Sequence, residues 1–418
     1  MKKVLMVSYF YPPLGGVGII RTLKFSKYLS EYGWKPYVLT VKNRDRFYTA
    51  CGNDLIPDGV DVFRSRNYLN NFSVIEGGLR RLGVTSKVIV PDAYCGWVYD
   101  SVRMGKRIIE EEDIDLIYVS CPPHSSAIIG ARLKELTGVP FVLDLRDAWT
   151  LNPHSTKYMF EYLQKMDEKN EESILQFADY ILTATEGIMD DYVRKYPSIH
   201  LKTGFCPNGF DLDDIPSSVT PFTRFTITYT GFFYVDRSPE PLFKALRVIL
   251  DEKLIPESDI QFMWAGRDSQ FVHHLVKKYG VESVMCYFGL VTKNQADELL
   301  YRSQMLYFMM GPTDNASQKT VMTGKIFPYL ASGKPILAVV LDGAAKDLIE
   351  EYSDNSITIG PLDVDHAVEF ILASYRQWKE GNEMAVISKK TQAFRKKYNY
   401  ASLAGKVADV FDEIVSVK

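Results

Sequence analysis

The 418-residue chain lacks paired cysteines: Cys51, Cys95, Cys121, Cys206 and Cys286 are scattered at neither disulfide nor metal-ligand spacing. An odd, dispersed set argues against a disulfide framework or a zinc site and predicts free thiols in a reducing, cytoplasmic setting. Charge of one sign is also missing. A formal net charge of −3 leaves no global field to attract nucleic acid, so no nucleic-acid partner is expected. No apolar run approaches the ~20 residues needed to span a bilayer. The opening Met1-Lys2-Lys3-Val4-Leu5-Met6-Val7 breaks at Ser8 and predicts a first strand rather than a leader. Low-complexity tracts and internal repeats are absent, and 46% hydrophobic with 24% charged residues are globular values. The length exceeds what one compact core supports and suits two domains.

What is present is an alternation of apolar runs and helical periods. Val4 to Val7 predicts a buried strand, followed by a Tyr11-Pro12-Pro13-Leu14-Gly15-Gly16 loop. A helix with Phe25, Tyr28, Leu29 and Tyr32 on one face comes next and is stopped by Gly33. Pro36 to Val41, Ile114 to Ser120, Val139 to Leu143 and Tyr180 to Ala184 are the next predicted strands. The pattern is that of a doubly wound parallel sheet. After a segment of linker composition around Asp213 to Pro221, a second series starts with strands at Phe225 to Tyr229, Gln261 to Ala265, Val284 to Phe288 and Met305 to Met309. It closes on Thr323-Gly324-Lys325-Ile326-Phe327-Pro328-Tyr329-Leu330-Ala331-Ser332-Gly333-Lys334-Pro335-Ile336, a short helix leading into a buried strand. Helical material fills 365–418. The predicted fold is α/β, with two Rossmann-like parallel-sheet domains facing across a deep cleft. Their expected bounds are 1–212, a 213–224 linker, 225–385, and C-terminal helices from 386 to 418 that pack back on the first domain.

Several groups fall where strands end. Gly15, Gly16 and Gly18 permit close backbone approach to a phosphate. Arg21 stands where G-x-G-x-x-G needs its last glycine and no acid ends the second strand, which excludes a nicotinamide dehydrogenase. Pro-Pro-His places His124 at a sheet edge, and Asp144-Leu145-Arg146-Asp147-Ala148-Trp149 gathers charges at another strand exit. Charges there need one another or a polar ligand, so both an internal Arg–Asp lock and a binding role are open. Gly231 and Arg237, just before Ser238-Pro239, make a plausible pyrophosphate site, and Gly324-Lys325 adds a second cation at a helix start. The stretch 64–107 carries Arg64, Arg66, Arg80, Arg81, Lys87, Arg103, Lys106 and Arg107. It reads as a solvated surface or as a face for an anionic membrane.

In order and spacing, these motifs resemble the retaining, GT-B-fold glycosyltransferases of the group 1, family 4-like type, which include bacterial polysaccharide and lipopolysaccharide sugar transferases. The resemblance spans most of the chain: the Tyr-Pro-Pro-Leu-Gly-Gly loop, Pro-Pro-His at 122–124, Asp-Leu-Arg-Asp-Ala-Trp at 144–149, Pro-Asn-Gly-Phe-Asp at 207–211, Tyr-Thr-Gly with Arg237, and the 324–336 motif. It implies transfer of a sugar from a nucleotide-diphosphate donor to a saccharide or lipid-linked acceptor, with retention. It implies neither cofactor nor metal, and it leaves room for peripheral contact with an anionic membrane. By that analogy the catalytic residues are His124, Arg237 and Lys325. The donor is bound by Gly15, Gly16, Gly231, Arg237, Gly324, Lys325 and Thr320, and Arg146, Asp147 and Trp149 shape the acceptor side. One departure stands out: Pro328 occupies the position of a glutamate that such enzymes use on the donor ribose, with Asp314 as a substitute acid. That departure keeps open a catalytically silent glycan- or partner-binding relative. A nucleotide-sugar epimerase on the same fold is a further alternative.

Overall fold

The computed structural model describes residues 1–42, 52–69, 86–152, 155, 157–235, 237–311 and 322–416. The chain divides into two compact units, Met1–Gly209 with Tyr400–Lys418, and Phe210–Asn399. The 213–224 segment therefore belongs to the second unit.

The first unit contains, in chain order, β1 (Lys2–Val7), α1 (Ile20–Tyr28), β2 (Trp34–Val41), β3 (Asp61–Ser65), α2 (Val98–Glu112) and β4 (Leu116–Cys121). These are followed by α3 (Ser125–Thr137), β5 (Phe141–Leu145), α4 (Glu161–Phe177), β6 (Tyr180–Thr183), α5 (Glu186–Lys195) and β7 (Thr203–Phe205). Its sheet has the order β3-β2-β1-β4-β5-β6-β7, parallel throughout. Val4 to Val7 and Leu116 to Val119 are fully buried without polar alternation, as central parallel strands covered on both faces require. The strand order reverses between β1 and β4. That switch point is where open α/β sheets bind ligands, at the carboxyl ends of the strands.

The second unit carries β8 (Phe225–Thr230), α6 (Glu240–Asp251), β9 (Ile260–Ala265), α7 (Gln270–Tyr279), β10 (Met285–Gly289), α8 (Lys293–Arg302) and β11 (Met305–Met309). It continues through α9 (Ile326–Ser332), β12 (Ile336–Val339), α10 (Ala344–Tyr352), β13 (Ile357–Ile359), α11 (Val364–Lys379) and α12 (Lys389–Tyr398). The sheet order is β10-β9-β8-β11-β12-β13, again parallel, with its switch point between β8 and β11. The last helix, α13 (Tyr400–Ser416), belongs to the first unit, whereas α12 stays with the second. On α13, Tyr400 meets Phe25 edge-on at 5.9 Å and Phe411 meets Trp34 at 5.3 Å. Asp412 accepts hydrogen bonds from Trp34 Nε1 and Lys2 Nζ.

Pro328 is the third residue of the seven-residue α9, inside its first turn. A backbone N–H there would have no intrahelical acceptor, so proline leaves the helix intact. Phe327, Leu330 and Ala331 are buried on one face, and Gly333 ends the helix at φ 70°. Of the cations in 64–107, Arg103, Lys106 and Arg107 pair with Asp100, Glu110 and Glu111 along α2 itself. Arg80 and Arg81 lie outside the described residues. No helix of the described residues is long and apolar enough to cross a membrane.

Candidate functional site

At the switch point of the first sheet, the chain leaves β1 into the Ser8–Gly18 loop. Gly16 adopts φ 97°, a conformation that side chains disfavour. Arg21, one turn further on, is buried to 1% and forks onto Asp144 at the end of β5, with Nε and Nη2 at 2.7 and 2.8 Å from the two carboxylate oxygens. Its Nη1 reaches the Pro207 carbonyl at 2.9 Å, and the Tyr118 hydroxyl donates to Asp144 as well. The lock expected within Asp144–Asp147 is thus made by Asp144 with Arg21. Arg146 instead donates to three carbonyls, those of Gly18, Pro122 and Cys121, so it ties the glycine loop to the Pro-Pro-His turn. Asp147 is exposed.

His124 sits just before α3 and stacks on Trp149 at 4.8 Å with the planes 10° apart. Trp149 is 3% exposed, and its indole N–H is taken by Asp167 at 3.0 Å. Its backbone N–H is held by Tyr192 Oη at 2.7 Å, and Tyr192 in turn donates to the fully buried Glu171. Burial pushes the Asp167 carboxyl up to about 6. From the other side Asp92 accepts from Ser125 N at 3.0 Å and from the Ser125 hydroxyl, fixing the first turn of α3. His124 Nε2 is left buried with no hydrogen-bond partner. Burial, then the charges of Lys87 and Arg146, hold its pKa down to about 3. The imidazole is therefore neutral near pH 7, with its Nε2 enclosed and unpartnered.

In the second unit, β8 ends at Thr230 and the chain turns at Gly231, φ 138°. The Gly231 N–H donates to Ala265 O at 2.7 Å, and its carbonyl accepts from Trp264 Nε1 at 3.0 Å. A Cβ at Gly231 would stand 2.5 Å from Lys325 Nζ, and one at Gly266 would run into the Gly231 carbonyl. Gly266 is required by this close approach of backbone, and Gly231 by its left-handed φ. Lys325 is half-buried; its Nζ lies 3.4 Å from Tyr229 Oη and 5.1 Å from that ring's centroid. Phe233 holds the ring from its other neighbour at 4.2 Å. Burial, then the like charge of Arg237, pull the Lys325 pKa down to about 8. Arg237 is fixed by a backbone bridge to Tyr234. Among the described residues neither cation forms an ion pair.

The first sheet's edge therefore holds Gly15, Gly16, His124, Arg146, Asp147 and Trp149, and the second's holds Gly231, Arg237, Gly324 and Lys325. Gly324 is exposed with open space around it. Thr320 and Asp314 lie outside the described residues. Arg21, Asp92 and Trp264 escaped sequence reasoning as site supports. Only Arg21 left a signal, as the misfit in the glycine motif; nothing local marks Asp92 as the cap of a helix 33 residues on.

No family model and no curated protein matches the sequence. Solved structures do. Sucrose-phosphate synthase from Thermosynechococcus elongatus superposes over 100% of both chains at 14% identity and a TM-score of 0.66. S. aureus TarM, in a complex with fondaparinux, alpha-GlcNAc-glycerol and UDP, matches over 99% of this chain and all of its own, at 10% and 0.61. A Listeria monocytogenes protein assigned as a UDP-N-acetylglucosamine 2-epimerase matches at 12% and 0.56, over 100% and 98%. With the two parallel sheets, these likenesses give the chain the GT-B fold.

Proposed function

We propose that the protein is a glycosyltransferase that moves a sugar from a nucleotide-diphosphate donor to a saccharide or lipid-linked saccharide acceptor, with retention, in cell-surface polysaccharide or lipopolysaccharide biosynthesis. The observation that carries this is the Arg237–Lys325 pair at the switch point of the second sheet, two cations of one sign without an acid partner among the described residues. Desolvating a cation is costly, and an oxyanion ligand offsets that cost through charge-assisted hydrogen bonds. A departing diphosphate gains negative charge as the glycosidic bond breaks. Fixed cations at its oxygens lower that barrier, so no metal is part of the proposal. TarM, whose structure holds UDP, supports a uridine nucleotide as the first donor to test. In the first unit, neutral His124 offers Nε2 to a sugar hydroxyl, and the loops clamped by Arg146 shape the acceptor side.

The test is calorimetric titration of the full chain with UDP, GDP and dTDP without added metal. One of them binds, and Arg237→Ala weakens it by about 1.5–3 kcal/mol. Unchanged affinity in a folded R237A protein removes the role. A second reading, the silent binding relative, is favoured by Pro328, because proline offers no carboxylate to a ribose. Failure of all three nucleotides to bind would put that reading first. An epimerase would isomerise the nucleotide sugar without an acceptor, which product analysis distinguishes. Peripheral contact through 64–107 is carried with the proposal and is dropped if the protein does not co-sediment with anionic liposomes.

A further inference from the structure

Arg64 is a further cation at the first sheet's edge, and like Lys325 it has no acid partner among the described residues. It lies near the end of β3, in register with Thr40 of β2, so its guanidinium stands beside the loop that follows β1. Nη2 donates to the Pro12 carbonyl at 2.7 Å, which leaves the arginine clamped against the segment leading to Gly15 and Gly16. Nη1 is buried with no hydrogen-bond partner. No carboxylate among the described residues pairs with Arg64. The titratable group whose charge reaches it is Tyr11, and burial pushes that phenol up to about 12, so it is neutral at pH 7. Holding one carbonyl requires one N–H. A second nitrogen, buried and left unpaired, is a standing penalty that an oxyanion would remove, because guanidinium donors fork onto two oxygens at once.

We infer that Arg64 belongs to a subsite of the first unit for an anionic group on the acceptor, a phosphate monoester or a carboxylate. The inference rests on the sugar-transfer reading for the word acceptor, and on Arg64 alone for the anion. The loop clamped by Arg64 through Pro12 is the same loop that Arg146 holds through Gly18, so guanidinium groups pin the loop after β1 at both of these points.

The test uses the full-length chain carrying Arg237→Gln and Lys325→Gln, which removes the two cations of the second unit. Saturation-transfer NMR is run with sn-glycerol 3-phosphate and with methyl glucuronide as separate probes, so that phosphate and carboxylate are told apart. At least one probe binds, and adding Arg64→Gln weakens it by about tenfold or more. Arg64→Lys, which keeps the charge but not the fork, falls between; if R64Q does not fold, a loss of about threefold or more in R64K decides in its place. Binding of neither probe, or affinity unchanged by the Arg64 substitutions, overturns the subsite. A wild-type protein that ignores UDP, GDP and dTDP but binds a probe through Arg64 would sink the transferase reading and leave the anion subsite standing.

Discussion

Arg21 in the first unit and the Arg237–Lys325 pair in the second are all basic groups near the switch point of a parallel sheet, yet they are completed differently. Arg21 is enclosed, with Asp144 taking two of its donors and a carbonyl taking a third. Lys325 has a phenol at 3.4 Å and another cation for company. The first arrangement is finished within the protein and has nothing left for a ligand. The second has no acid partner among the described residues, which is the place the proposed anionic donor would fill. On the proposed function, what separates the structural cation from the binding ones is whether partners are already present, more than how buried each is.

Breaking the finished pair should have the largest effect. Asp144→Asn leaves the Arg21 guanidinium buried beside a neutral amide, and unfolding by urea should show a loss of about 3–5 kcal/mol. A midpoint unchanged from wild type would mean that the pair is not what holds the glycine loop to β5. Next comes Gly231→Ala, which forces a Cβ into φ 138° and against Lys325. A loss of about 1–3 kcal/mol in stability is expected, together with weaker nucleotide diphosphate binding as Lys325 is displaced. Loss of stability with full binding would show that the lysine has another route to its ligand.

The two units were not equally legible before the structure. Strands such as Val4 to Val7 and Met305 to Met309 announced themselves, because parallel strands covered on both faces need uninterrupted apolar residues. The cations of the second unit were legible too, since Gly231, Arg237 and Lys325 all lie next to strand ends or helix starts, where ligands of such sheets bind. The completed contacts of the first unit were hidden by distance along the chain. Arg21 and Asp144 are 123 residues apart, and nothing in either neighbourhood names the other. Arg146 and Trp149 looked like a ligand surface because their chemistry fits one. Only the packing reveals that carbonyls occupy the guanidinium and that Asp167 and His124 occupy the indole. Pro328 could be read from sequence as a lost carboxylate, but its position in the first turn, where it leaves the helix intact, needed the helix boundary.

The smallest expected effect has the opposite sign and sharpens the contrast most. Lys325→Met keeps the length of the side chain and removes a charge that burial and Arg237 both oppose. The folded-state pKa of about 8 lies below that of an unfolded lysine, so the unfolded chain holds the proton more tightly. The resulting penalty is complete below about pH 8 and fades as the pH rises toward the ordinary lysine value of ~10.4. At pH 7 the methionine variant should therefore melt about 2–4 °C higher, the shift that ~1 kcal/mol produces in a unit of this size, and the gain should shrink at pH 10. Nucleotide diphosphate binding should move the other way. In the wild type, affinity holds below pH 8 and falls as Lys325 loses its proton above it, whereas the variant binds weakly and loses that part of the pH dependence. A variant that melts lower, as Asp144→Asn should, would make Lys325 a structural cation like Arg21. The pair would then no longer support the proposed donor site.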